Sequence, residues 1–211
     1  HERNEAALVG VRALFLYPLN ALINSQQERL DAWTRKYGSN IRFCLYNGKT
    51  EEHADKIRKE QQQKPNQILS RERLRKEPAP ILMTNATMLE YMLIRKDDEP
   101  ILQKSAGKLR WIILDEAHTH IGSQAAEMAL LLRRVMLAFK VNPQDVRFVA
   151  TSATFGSDSA TIENLRKFLA DIGGVAPEQV HVVQGHRDIP RLSDRKQDVE
   201  QDTPDVISAI D

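Results

Sequence analysis

One cysteine, few aromatic residues, no long apolar run and almost no net charge: each shortage excludes a class of protein. Cys44, the single cysteine, cannot close an internal disulfide or complete a cysteine-rich zinc site, which favours a reducing compartment. Aromatic residues make up 6% of the 211 positions, and Gly and Pro number 9 each, so collagen-like and low-complexity readings fail. No apolar run approaches the roughly 18 residues of a membrane span, and the first residues carry no signal-peptide core. A cytoplasmic domain with no membrane attachment is the expectation. Lys+Arg 30 against Asp+Glu 29 leaves a formal charge of +1, which announces no nucleic-acid partner globally but leaves local basic surfaces open. What remains, 41% hydrophobic and 28% charged, suits one globular domain with a sizeable core.

Short apolar runs alternate with longer segments of helical period, the pattern of an α/β protein with a mostly parallel sheet flanked by helices. Residues 11–17 (VRALFLY) read as the first strand, ended by Pro18, which cannot donate to a ladder. Leu19, Leu22, Ile23, Leu30, Trp33 and Tyr37 then recur at helical spacing up to Gly38. Further strands are expected at 41–46, 81–83, 109–114, 146–150 and 180–183, and a turn at Asn47-Gly48. The run LRWIIL at 109–114 is apolar on both faces, which argues for a central strand. Thr87 and Glu90 have the spacing of a capping box. Residues 124–139 are apolar nearly all round and read as a buried helix. Ile162, Leu165, Phe168, Leu169 and Ile172 form a helical stripe that Gly173-Gly174 terminates. Residues 51–80 are polar and rich in Lys, Arg and Gln, so a surface insertion is expected there, as a helix or a mobile loop. Beyond Asp188 the periodicity is lost, which sets a domain at 1–187 and an acidic linker or tail at 188–211.

The strongest chemical signal is Trp111-Ile-Ile-Leu-Asp-Glu-Ala-His118. A strand that emerges into two consecutive carboxylates puts them at the carboxyl edge of a parallel sheet, where open α/β folds bind ligands. Asp115 is suited to hold Mg²⁺ through water, and Glu116 to orient or deprotonate a water attacking a γ-phosphate. On its own the tetrapeptide is equally compatible with a solvated acidic turn. Three more polar segments lie just past expected strands and converge on the same sheet edge. They are Leu16-Tyr-Pro-Leu-Asn-Ala-Leu-Ile-Asn-Ser-Gln26, Leu82-Met-Thr-Asn-Ala-Thr-Met-Leu89 and Ala150-Thr-Ser-Ala-Thr154.

In these segments the sequence resembles the first RecA-like domain of superfamily 2 DEAD/DEAH-box helicases, from about Val11 to Arg187. The wording LYPLNALINSQ, TNATMLEYML, DEAHTHIGSQ and LLLRRV is most similar to the large bacterial helicases of anti-phage defence, of Druantia and DISARM type. The resemblance implies a P-loop NTPase fold, ATP and Mg²⁺ as cofactors and DNA as partner. It also implies roles: Asp115 and Glu116 as the Mg²⁺-binding and water-activating acids, and His118 as the residue linking the ATP site to the nucleic-acid path. Ser152 and Thr154 match the S-A-T motif that ties nucleotide state to movement of a second domain. Pro18, Asn20 and Gln26 match motif Ia, and Thr84 and Asn85 match motif Ib, both of which line the nucleic-acid backbone. Hydroxyls, amides and helix N-termini are suited to phosphates because they donate without reading bases.

The sequence also departs from the family. Its one Gly-Lys-Thr, Gly48-Lys49-Thr50, has Phe43 where a phosphate-binding loop begins with glycine, and it follows motif Ia instead of preceding it. It reads as a turn. The chain is therefore expected to be an incomplete RecA-like domain whose partners include a Walker A segment and a second RecA-like domain of the same protein. Other defence-system proteins are further expected partners. Alone, it is expected to hydrolyse ATP slowly or not at all. Two other readings stand beside this one. A non-catalytic nucleic-acid-binding module would use Lys56, Arg58, Lys59, Lys64, Arg71, Arg73, Arg75 and Lys76, although interleaved acids favour a solvated face. A metal-dependent hydrolase would use His118 and His120, but the spacing H-E-x-x-H is missing.

Overall fold

A computed structural model describes residues 7–18, 20–117, 123–151 and 159–183. Its centre is a six-stranded sheet in the order β3-β2-β4-β1-β5-β6, every pairing parallel. The strands are β1 (Ala13–Leu16), β2 (Phe43–Leu45), β3 (Gln67–Ile68), β4 (Ile81–Thr84), β5 (Trp111–Leu114) and β6 (Arg147–Ala150). The helices are α1 (Asn20–Thr34), α2 (Arg58–Gln63), α3 (Arg71–Lys76), α4 (Ala86–Ile94), α5 (Glu99–Ser105), α6 (Ser123–Ala138) and α7 (Ser159–Gly173). Among the described residues no helix is long and apolar enough to cross a membrane.

Alternation along the strands sorts side chains onto two faces. Leu14, Leu16, Cys44, Leu82, Ile112 and Leu114 point into the larger core, with Met88, Leu89 and Met92 of α4, Ile101 of α5 and Ile172 of α7. From α6 come Met128, Leu131, Leu132, Val135 and Met136, and Phe139 follows that helix. The opposite face carries a smaller cluster, Tyr17, Leu30, Phe43 and Met83, where α1 lies over the sheet. The chain leaving β1 thus turns to one face, while the chains leaving β4 and β5 turn to the other. That divergence makes a crevice at the carboxyl end of β1, the place where doubly wound sheets bind ligands.

The structure differs from the sequence expectations at several points. Residues 51–80 hold the helical structure expected as one alternative, in α2 and α3, but also an unexpected strand, β3, which extends the sheet beyond β2. Four of the segment's polar residues, Gln61, Asn66, Gln67 and Ser70, are buried, and Gln61 Nε2 donates to Gln67 O at 2.6 Å and Asn66 Nδ2 to Thr34 Oγ1 at 2.9 Å. Composition alone hides this, because buried amides look like surface amides in a sequence. Helix α4 is capped by Asn85, whose Oδ1 accepts from Met88 N at 2.8 Å, and not by a Thr87–Glu90 box. Helix α6 has one buried side only, since Leu130 and Leu137 are 59% and 79% exposed. Trp33 and Tyr37, two of the residues that recur at helical spacing, are exposed as well. β5 is interior in the sheet, yet Trp111 at its start is exposed on the smaller-core face. Residues 180–183 form no strand, and Val183 is 93% exposed. A β-branched run becomes a strand only where it finds a partner, and no pairing of 180–183 is present among the described residues. The expected tail at 188–211 lies outside the described residues.

Candidate nucleotide and nucleic-acid site

Register sets the geometry of the site. Leu16 pairs with Thr84 on one side and with Leu114 on the other, and Leu114 pairs with Ala150. The carboxyl ends of β4, β1, β5 and β6 are therefore level, and the residues that follow leave from one line. Tyr17 N donates to Thr84 O at 3.0 Å, Asp115 N to Leu16 O at 2.9 Å and Thr151 N to Leu114 O at 2.9 Å, so the ladder runs one residue past each strand.

Asp115 and Glu116 form the turn after β5. The Asp115 carboxylate is half-buried, and its Oδ1 accepts the hydroxyl of Thr151. Glu116 has φ 51°, a left-handed conformation uncommon in a non-glycine residue. Such strain persists where neighbours fix both ends of a turn. Here Ala117 N donates to Thr151 O at 2.8 Å, so β6 closes the far side. The half-buried Asp115 carboxylate at the sheet edge is a hard oxygen group of the kind Mg²⁺ takes, and Mg²⁺ sites need only one or two protein carboxylates, with water and phosphates filling the rest. The residues present fit that ion. Tyr17 sits level with Asp115 in the register; burial, followed by the charge of Asp115, pushes its phenol up to about 12.

On the other side of β1 the motif residues divide in role. Thr84 is fully buried, and its Oγ1 donates to Tyr46 O at 2.7 Å, so the side chain ties β4 to β2 and does not face solvent. Asn85 is the N-cap of α4, so its backbone and the first turn of that helix lie at the sheet edge. Pro18 is half-buried just past β1, Asn20 opens α1, and Gln26 is part-way along that helix and half-buried. His118, Ser152 and Thr154 lie outside the described residues, as does His120. The sheet edge therefore gathers Pro18, Asn20, Thr84, Asn85, Asp115 and Glu116, while Gln26 stands back from it.

Gly48-Lys49-Thr50 is a turn, as expected. Lys49 N donates to Asn47 Oδ1 at 2.9 Å, and Thr50 Oγ1 donates to Leu45 O at 2.7 Å. The insertion braces this turn. Arg71 Nη2 donates to Asn47 O at 3.0 Å and its guanidinium lies 5.2 Å from the Tyr46 ring centre. Beneath it, fully buried Asp98 accepts from the Tyr46 hydroxyl and from Arg75 Nε at 2.9 Å, and Arg75 also pairs with Glu52. Most of the insertion's cations have acidic partners: Lys56 with Glu51, Arg58 with Asp55, Lys64 with Glu60 and Lys76 with Glu72. This stretch is a local ion-pair lattice, and its charge is largely answered before any phosphate arrives. Sequence reasoning missed the Thr151–Asp115 pair and the Tyr46–Asp98–Arg75 network. Equal strand registers signal the first in retrospect, but nothing in the sequence signals the second.

Known proteins share this architecture. The family model described as DEAD/DEAH box helicase matches residues 3–162. The Druantia protein DruE of Escherichia coli (strain UMEA 4076-1) is 29% identical over 137 residues, 60% of this chain and 7% of that protein. The uncharacterized ATP-dependent helicase YprA of Bacillus subtilis (strain 168) is 26% identical over 154 residues, 73% of this chain and 18% of that protein. Among solved structures, DUF1998 helicase MrfA bound to DNA superposes with a TM-score of 0.53 at 24% identity, covering 78% of this chain and 20% of the other. The chain spans about a fifth or less of the length of these relatives.

Proposed function

Because the chain belongs to the DEAD/DEAH box helicase family, we propose that it forms part of an ATP-dependent DNA helicase or translocase working in the cytoplasm. The observation that carries this reading is the levelled sheet edge, where the acids after β5 and the motif segments after β1 and β4 leave side by side. Asp115 would hold a Mg²⁺ ion, and that ion would supply positive charge to offset the ATP phosphates. Glu116 orients the attacking water and accepts its proton. The N-terminus of α4, the backbone around Pro18 and the first turn of α1 with Asn20 donate to a nucleic-acid strand without reading its bases. Thr84 serves this surface indirectly, by holding β4 to β2 beneath Asn85. Gln26 supports α1 behind the edge. His118, Ser152 and Thr154 carry the coupling between ATP and the moving second domain. A Walker A segment and that second domain complete the site in the longer protein, so this chain by itself turns over ATP slowly or not at all. A place in anti-phage defence is supported by the likeness to DruE, and DNA as substrate by the likeness to a helicase crystallised on DNA.

The test is ATP hydrolysis by the longer protein, with and without single-stranded DNA, beside its Glu116→Gln variant. DNA-stimulated turnover that the variant loses by about 10²-fold or more is expected, in line with removal of a general base. Intact DNA binding with no turnover in the parent would replace the motor reading with a non-catalytic binding module.

A further inference from the structure

Three strands present one residue each to the same line past the sheet edge: Tyr17 after β1, Asp115 after β5 and Thr151 after β6. They continue the rows Phe15, Ile113 and Val149, which share one face of the sheet. Thr151 is the most constrained of the three. Its N–H donates to Leu114 O, its hydroxyl to Asp115 Oδ1, and its carbonyl accepts from Ala117 N. It therefore grips the residues before, at and after the carboxylate turn, and encloses Glu116 in its left-handed conformation. A β-branched side chain has few rotamers, so the hydroxyl is held in direction by its own backbone.

We propose that Thr151 is a positioning residue for Asp115: its hydroxyl occupies Oδ1 and leaves Oδ2 facing the water shell of a divalent cation. The cation half of this statement rests on the function proposed above; the positioning half rests on the geometry alone. The hydroxyl matters because a charge-assisted bond to Oδ1 holds the whole Asp115 side chain in one rotamer and so presents Oδ2 in a fixed direction, whereas an unbonded side chain turns about both of its bonds. Only the side-chain bond depends on the hydroxyl. Both backbone bonds survive in Thr151→Val, which has the same shape, so the turn and the sheet remain.

The test separates the two halves. Three-bond couplings of Asp115 in the labelled chain report its χ1 rotamer, and Mn²⁺, as a paramagnetic stand-in for Mg²⁺, broadens the amide signals of Leu114 to Ala117 where it binds. The expected result is one Asp115 rotamer in the parent chain and in Thr151→Ser, and averaged rotamers in Thr151→Val. Apparent Mn²⁺ affinity is expected to fall by about tenfold in Thr151→Val and to return to within about threefold in Thr151→Ser, as for other loss of an outer hydrogen bond to a metal ligand. An unchanged single rotamer with unchanged Mn²⁺ affinity in Thr151→Val overturns the proposal. Rotamer release in Thr151→Val without any Mn²⁺ broadening in the parent supports the positioning role and overturns the cation role given to Asp115.

Discussion

One face of the sheet is packed from end to end and the other only in part. On the first, β1, β2, β4 and β5 bury Leu14, Cys44, Leu82 and Ile112 completely beneath helices α4, α5, α6 and α7. On the second, α1 covers β2, β4 and β1 through Leu30, but over β5 and β6 the residues Trp111 and Val149 are each 39% exposed. All-parallel sheets are as a rule covered on both sides, so the uncovered strip marks where this chain has apolar surface to spare. It also ends at Asp115 and Thr151. The half of the second face under α1 provides rigidity, and the open half borders the candidate chemistry.

The sharpest way to break this contrast is to truncate one residue in each half. Phe43→Ala, under α1 and fully buried, is expected to cost about 3–5 kcal/mol, whereas Val149→Ala on β6 should cost less than about 1 kcal/mol. Urea unfolding measures both, and equal costs would mean that the strip is covered after all. A second effect follows from protons. Burial, with the Arg71 charge partly opposing it, pushes the Cys44 thiol up to about 12 from 9.0, and Tyr17 stands at about 12 against 10.0. The folded chain thus holds protons that the unfolded chain releases from about pH 9 upward, so stability is full below pH 9 and falls as pH rises toward 12. Thermal unfolding across that range checks the direction, and Cys44 should resist thiol reagents until the transition. The smallest effect concerns the edge. β6 has no partner on its outer side among the described residues, and an unpaired parallel edge invites strand addition or self-association. Sedimentation is expected to show association that grows with concentration and weakens in Val149→Lys; a monomer at every concentration would show that the edge is protected.

Much of the fold was legible because parallel strands are marked by short apolar runs with strong turn signals after them. Six runs of this kind were expected to be strands and five are: 11–17, 41–46, 109–114 and 146–150 each contain one, shorter than the run, and 81–83 is extended by Thr84. Strand β3 was not expected, since Gln67–Ile68 is short and polar and pairs only because β2 lies beside it. Residues 180–183 have the right composition but no paired strand among the described residues, as expected if a strand is a property of a pair. The placement of the candidate segments on one edge was legible for a different reason. A carboxylate doublet after an apolar strand and three polar segments after others form a pattern in sequence order, and parallel topology brings every such segment to one edge. The roles within that pattern were less visible, as Thr84 shows: its hydroxyl turns inward to Tyr46 because that position alternates into the sheet.

The residues in order determined the class of fold, the edge where the site gathers and the family, because hydrophobic period and motif order are one-dimensional properties. Which residues share that edge as working partners was decided only in three dimensions. Asp115 and Thr151 are far apart in sequence and meet through the β5–β6 register, as Asp98 meets Tyr46 and Arg75 through the packing of α3 and the turn before α5. A hydrogen bond needs two groups at one place with one direction, and no periodicity along a chain encodes that for residues on different elements.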